Sequence, residues 1–258
     1  MRLPGFAMIV AGIAVAIPAA ATVAGEPDAT RPLAFRAEAK VTLDAAGKPV
    51  TVEPSADLPE SIRAFIRQRV ATWHFSPPEQ DGVTGPATTY LRLGACAFPE
   101  AGGGYRLGLD LKGNGPLYAN GPLMNPPRYP KEAMIKRYGA TANVTIVIGT
   151  DGLATLEGID YAEGGNHRRD GFDASLREWV KSMRFEPEQL AGHPVRTRMR
   201  VPVVFSMEPR GSSSADFIEA MRKKAAASEE CRLAAGEAPP SGLQPVALDS
   251  PVRIAPAG

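Results

Sequence analysis

Residues 142–161 read ANVTIVIGTDGLATLEGIDY. Ala142 to Ile148 reads as a strand, Thr150-Asp151-Gly152 as a turn and Leu153 to Tyr161 as a second strand, which predicts an antiparallel hairpin. Downstream, Phe172 to Met183 predicts a helix that buries Phe172, Leu176, Trp179, Val180 and Met183 on one side. Arg184-Phe185-Glu186-Pro187 ends that helix, Gly192 turns the chain, and Arg196 to Met207 predicts a closing strand. Strand, strand, helix and strand make an α+β unit with one helix lying across an antiparallel sheet.

The same plan occurs upstream. FRAEAKVTL, from Phe35 to Leu43, alternates with Phe35, Ala37, Ala39, Val41 and Leu43 on one face, the period of a half-buried strand. Asp44-Ala45-Ala46-Gly47 is a turn, and Pro49 to Glu53 begins a second strand. Ser61 is placed to cap a helix running to Thr72, with Ile62, Phe65, Ile66, Arg69 and Val70 as its inner stripe. Trp73-His74-Phe75-Ser76-Pro77 ends it, and after the Asp81-Gly82 turn Thr88 to Leu93 alternates as a last strand. Phe75, Pro77 and Gly82 match Phe185, Pro187 and Gly192 at one constant offset. Gly47 and Gly152 match at a slightly smaller one, which places an insertion near Gly164-Gly165 in the second copy. Such spaced matches in one element order signal an internal repeat. The expected fold class is therefore α+β, with two tandem ββαβ units, each a three-stranded antiparallel sheet crossed by one helix. Units this small sit near the lower size limit for an independent core, so they are expected to pack on each other or dimerise.

The 258 residues are 44% hydrophobic and 22% charged, enough apolar material for a globular core. Lys+Arg 29 against Asp+Glu 28 leaves a charge of +1, which argues against a nucleic-acid partner. Arg168-Arg169 and Lys223-Lys224 are too short to reverse that balance. Two cysteines supply neither a disulfide-dense scaffold nor a four-thiolate zinc site. At the N-terminus, Arg2 precedes Phe6 to Ala24, which carries no charge, and Thr22-Val23-Ala24 before Gly25 fits secretory cleavage. Ala19-Ala20-Ala21 offers a second cleavage point, and an uncleaved membrane anchor is the alternative reading. The expected location is the periplasm, or the periplasmic side of the inner membrane if the segment is retained.

The second unit carries a family resemblance. Asn125-Pro126-Pro127-Arg128-Tyr129-Pro130, Ala133 and Gly139 precede the hairpin with Asp151-Gly152. Met183-Arg184-Phe185-Glu186-Pro187 and Arg200-Val201-Pro202-Val203-Val204-Phe205 follow the helix. This run, residues 120–208, resembles the C-terminal domain of the TonB family of energy transducers, and residues 34–95 resemble a degenerate copy without the Tyr-Pro entry. The resemblance implies binding by strand addition: an extended peptide from an outer-membrane receptor, or another envelope protein, pairs with an unpaired sheet edge. It also implies a link to TonB-dependent transport across the outer membrane. By position the edge is Val201 to Met207, and Pro202 suits an edge because proline cannot donate to a central ladder. The partner-binding residues expected on this basis are Arg128, Tyr129, Val201, Val203 and Phe205, the last three offering backbone while their side chains face the core. Two departures stand out. The interval before the domain holds a folded unit instead of Pro-Lys or Pro-Glu repeats, and Phe6 to Ala24 lacks the ionisable residues of a proton-coupled anchor. The competing expectation is a structural envelope protein that self-associates, as a homodimer for instance, through its sheet edges.

Catalytic constellations are weak, so no enzyme, cofactor or metal is expected. His74, His167 and His193 have no metal-ligand spacing to another His, Cys or Glu. There is no G-x-S-x-G elbow and no P-loop, and Gly102-Gly103-Gly104 lacks a following Lys. That glycine run reads as part of a linker over 96–121, in which Tyr105, Leu107, Leu109 and Leu111 alternate as one extra strand. Cys96 and Cys231 form a disulfide in an oxidising compartment, or remain two buried thiols. The domain boundaries expected are 1–24 for the signal, 34–95 and 122–208 for the two units, and 212–235 for a C-terminal helix. The Pro-, Ala- and Gly-rich tail, 236–258, is expected to be disordered.

Overall fold

The computed structural model describes residues 32–99, 105–119, 125–162, 171–207, 231 and 246–253. The expected signal segment, most of the 212–235 helix, His167 and the Gly164-Gly165 insertion lie outside the described residues. No helix among the described residues is long and apolar enough to cross a membrane.

The first half contains β1 (Leu33–Leu43), β2 (Pro49–Pro54), α1 (Glu60–Val70), β3 (Glu79–Gln80), β4 (Val83–Thr84), β5 (Ala87–Pro99) and β6 (Tyr105–Gly115). β7 (Leu117–Tyr118) and α2 (Lys131–Lys136) lead into the second half. There follow β8 (Ala140–Ile148), β9 (Ala154–Tyr161), α3 (Phe172–Ser182), β10 (Phe185–Glu186), β11 (Gln189–Leu190), β12 (His193–Pro194) and β13 (Thr197–Phe205). β14 (Val246–Ala247) comes last. The fold is mixed α+β, and its strand pairs are antiparallel.

The halves share local geometry. β5 and β2 flank β1, and β13 and β9 flank β8. Gly47 and Gly152 both have positive φ, 84° and 77°, and each lies against the carbonyl of a buried phenylalanine. An added Cβ would stand 2.4 Å from the Phe75 oxygen in one case and 2.1 Å from the Phe185 oxygen in the other, so no side chain fits at either. The short β3–β4 and β11–β12 hairpins both turn through two left-handed residues, Asp81-Gly82 and Ala191-Gly192, the geometry that matches strand twist.

The sheets are wider than the expected three strands. One has six, in the order β12-β11-β5-β1-β2 with β6 also on β5, and another has four, β14-β13-β8-β9, beside the two-stranded pairs β10-β7 and β3-β4. Three-stranded sheets leave edge backbone unpaired, and here neighbouring segments cover much of it. β6 runs the length of β5 from Pro99↔Tyr105 to Tyr90↔Gly115. β11, from the second half, pairs Gln189 with Thr88 and Leu190 with Ala87. The two halves thus pack against each other through a shared sheet.

Two cores result. Around α3, Phe172, Leu176, Trp179 and Val180 meet Ala142, Val144, Ile146 and Ile148 of β8 and Met199, Val201, Val203 and Phe205 of β13. Each large apolar side chain buried there contributes about 1.5–3 kcal/mol. The first core gathers Val41, Leu43, Ile66, Val70, Phe75, Leu91 and Leu93, and Val252 from the far end of the chain joins it. Ser61 does not cap α1, because Pro59 already holds the extended backbone of the N-cap and the helix starts at Glu60. Arg69 faces solvent, leaving Ile66 and Val70 as the buried positions of that helix. The tail also departs from expectation. Residues 246–253 are ordered against both halves, because they supply backbone partners to β13 and to residues 76–79. Cys96 and Cys231 form a disulfide, with Cα atoms 5.0 Å apart.

Candidate functional site

β13 is built to alternate: Thr197, Met199, Val201, Val203 and Phe205 are buried, and Arg200 and Val204 are exposed. In a strand, side-chain face and backbone direction alternate together, so the residues whose N–H and C=O groups point to one neighbour also share a face. Arg198 fixes the parity. Its carbonyl accepts from the Leu248 N–H at 2.8 Å, and its own N–H donates to Asp249 Oδ1 at 2.5 Å. Even-numbered residues of β13 therefore aim their backbone groups outward, and odd-numbered ones aim theirs at β8.

Among the expected binding residues, three lie at odd-numbered positions of β13. Val201, Val203 and Phe205 have buried side chains, and their backbone groups are directed into the β8 ladder. Neither is open to a partner. The outward groups past Arg200 are the carbonyls of Pro202 and Val204 and the Val204 N–H. No described strand pairs with that stretch of the edge. Pro202 sits at an outward position opposite Asn143, where its missing N–H removes no bond to β8. The face beside this edge carries Arg200, the 61%-exposed Val204, and Arg198 paired to Glu157 at 2.8 Å.

The far end of β13 is fixed by aromatic packing. Tyr129 meets Phe205 edge-on at 5.6 Å and Phe172 at 6.0 Å, and Phe172 and Phe205 lie 4.7 Å apart. The Tyr129 hydroxyl donates to the Tyr138 carbonyl at 2.7 Å, and burial pushes that hydroxyl's pKa up. Gly139 lies flat against the Phe205 carbonyl, where a Cβ would come within 2.1 Å. Tyr129 is thus a packing residue that sets where the strand ends, while Arg128 is exposed beside it, its carbonyl held by the Ser175 hydroxyl.

One polar cluster had no signal in the sequence. Glu188 is fully buried, and its carboxylate accepts from Thr89 Oγ1 at 2.5 Å, Ser250 Oγ at 2.7 Å and Thr197 Oγ1 at 3.1 Å. Burial raises its pKa, and the three hydroxyls and the positive charge of Arg92 oppose that rise. Asn114 Nδ2 donates to Ser250 Oγ at 3.1 Å and to the Val252 carbonyl at 2.9 Å. The cluster joins β5, β6, β13 and the C-terminal segment. Only the Glu after Phe-Glu-Pro hints at it, and nothing local separates that Glu from a surface one.

The two described histidines stand apart from the polar cluster. His74 and His193 are exposed, and no group of three His, Cys, Asp or Glu among the described residues could hold a metal.

A comparison with curated proteins finds no match. A family model does match, over residues 125–207, from the Asn125-Pro126 entry to the end of the closing strand. That segment carries a domain of the family described as the Gram-negative bacterial TonB protein C-terminal.

Proposed function

We propose that the chain is a TonB-like protein of the cell envelope that binds an extended peptide by strand addition on the outer edge of β13 and catalyses no reaction. The TonB C-terminal family consists of transducer domains that interact with envelope proteins such as outer-membrane receptors, which ties this chain to transport across the outer membrane. The observation that carries the reading is the outward backbone of Pro202 and Val204, which no described strand pairs and which borders the exposed Val204 side chain. Main-chain bonds at such an edge supply affinity, and alternate side chains supply selectivity. Residues 34–95, with their matching glycines and strand order, are proposed as a divergent second copy whose outer edge is taken by β6.

The test is amide NMR of the full chain with synthetic peptides copied from the N-terminal boxes of outer-membrane receptors. Binding should shift and protect the Val204 amide while leaving Val203 and Phe205, already in the β8 ladder, unchanged. A concentration-dependent rise in mass with no peptide response would favour self-association through the edges instead. Peptide binding that perturbs only residues away from β13 would refute the assignment of the edge.

A further inference from the structure

The upstream half of the same edge is already filled by the chain itself. β14 pairs Val246 with Arg200 and Ala247 with Met199, antiparallel to β13. Leu248 continues the ladder by donating to the Arg198 carbonyl, and there the backbone pairing stops, because the Arg198 N–H is taken by the Asp249 side chain. A short insert that ends on an acidic cap is what an added peptide on this edge would look like.

We propose that Val246–Asp249 is a tethered internal ligand of the β13 edge, and that an external strand must displace it to pair beyond Val204 and Pro202. The inference rests on the strand-addition reading above. Three features hold the insert in place. Ser250 is locked onto Glu188, Val252 is buried in the first core, and the Arg253 and Pro251 carbonyls accept from Ser76 and Glu79. Gln80 adds a bond to the Asp249 carbonyl at 2.9 Å. The insert also states a preference. An incoming strand should carry small or apolar residues followed by an acid placed to meet the Arg198 N–H.

The experiment compares the intact full chain with Leu248→Pro, which deletes the N–H bonded to Arg198 at a residue 37% exposed and so spares both cores. Ser250→Ala, which removes the bond that anchors the insert to Glu188, is the second variant. The probe is a fluorescein-labelled synthetic peptide of residues 244–250, QPVALDS, followed by anisotropy, with hydrogen exchange of the Arg198 amide measured in parallel. Faster exchange at Arg198 in the variants, restored by peptide, with at least tenfold tighter peptide binding than the parent, is the expected result. Equal peptide affinity in parent and variants overturns the internal ligand and leaves strand addition standing. An Arg198 amide released in the variants with no peptide binding to any form refutes strand addition at this edge, and the internal ligand with it. Arg198 protection retained in both variants also overturns the proposal, since the insert would not then be what covers the edge.

Discussion

Replacing Ser250 by alanine tests the polar cluster beneath the C-terminal segment. Ser250 is 6% exposed, and its hydroxyl lies 2.7 Å from Glu188 Oε1 and accepts from the Val252 N–H at 3.1 Å. Alanine removes a donor to a buried carboxylate, about 1.5–3 kcal/mol for a bond to a charged group. It also leaves the Val252 N–H without this acceptor, at about 1 kcal/mol or more for a buried backbone donor. Asn114 loses little, since its amide still reaches the Val252 carbonyl at 2.9 Å. The expected loss is about 3 kcal/mol, or a fall in Tm of roughly 6–12 °C for a chain of this size. Urea and thermal unfolding at pH 7.5, with the disulfide intact, read it directly. Combining Ser250→Ala with Glu188→Gln should recover part of the loss, because the amide no longer needs the hydroxyl to offset a buried charge. A loss below about 0.5 kcal/mol, the range of ordinary surface substitutions, would refute the view that this cluster fastens the C-terminal segment.

Gly152→Ala should cost about 3–5 kcal/mol, combining a left-handed backbone with a Cβ driven to 2.1 Å from the Phe185 carbonyl. Gly192→Ala, at the same positive φ but with nothing within 4 Å, should cost only about 1–2 kcal/mol by thermal unfolding, and equal losses would refute the close approach at Gly152. Because burial raises the Glu188 pKa above its unfolded value, its contribution to stability is fully present below the unfolded pKa and is lost as pH rises through the folded one. The parent should therefore gain stability relative to Glu188→Gln when urea unfolding is repeated from pH 8 down to pH 5, and a parallel pH response would count against the buried charge. Reducing Cys96–Cys231, whose sequence separation is 135, should lower stability by about 5 kcal/mol on the chain-entropy model, and an unchanged denaturation midpoint would contradict it.

How far the sequence discloses this fold depends on the range of the forces involved. The alternation of Phe35 to Leu43 lies within β1, and the Phe172, Leu176, Trp179 and Val180 stripe is the buried side of α3, because both report nearest-neighbour geometry. Gly47 and Gly152 are legible for the same reason, since a tight turn is decided by the residue that makes it. β14 is two residues long inside a Pro- and Ala-rich tail, and it exists only because a partner some fifty positions earlier offers an edge. No local preference encodes that. The edge of β13 is a subtler case. Alternation in Thr197–Phe205 reveals which side chains enter the core, but not which neighbour claims the backbone of those residues, and β8 claims it. Glu188 is hidden for the converse reason: its burial follows from how β5, β13 and residue 250 converge around it.

Val252 has a consequence for the order in which the molecule can be completed. It lies in the first core, with Val41, Leu43, Ile66 and Leu91, although it follows Pro99, the end of β5, by about 150 residues. A polypeptide leaves the ribosome amino end first, so the sheet of the first unit can collapse long before the residue that finishes its interior has been made. Until then it carries an apolar notch open to water, flanked by the unmatched backbone of Ser76 and Glu79 that later donates to Arg253 and Pro251. Closing that notch spans most of the sequence, a contact of high order that slows the final step and prolongs the time in which a chaperone or a protease can act. A truncation before Val246 would leave both units translated in full and neither one sealed.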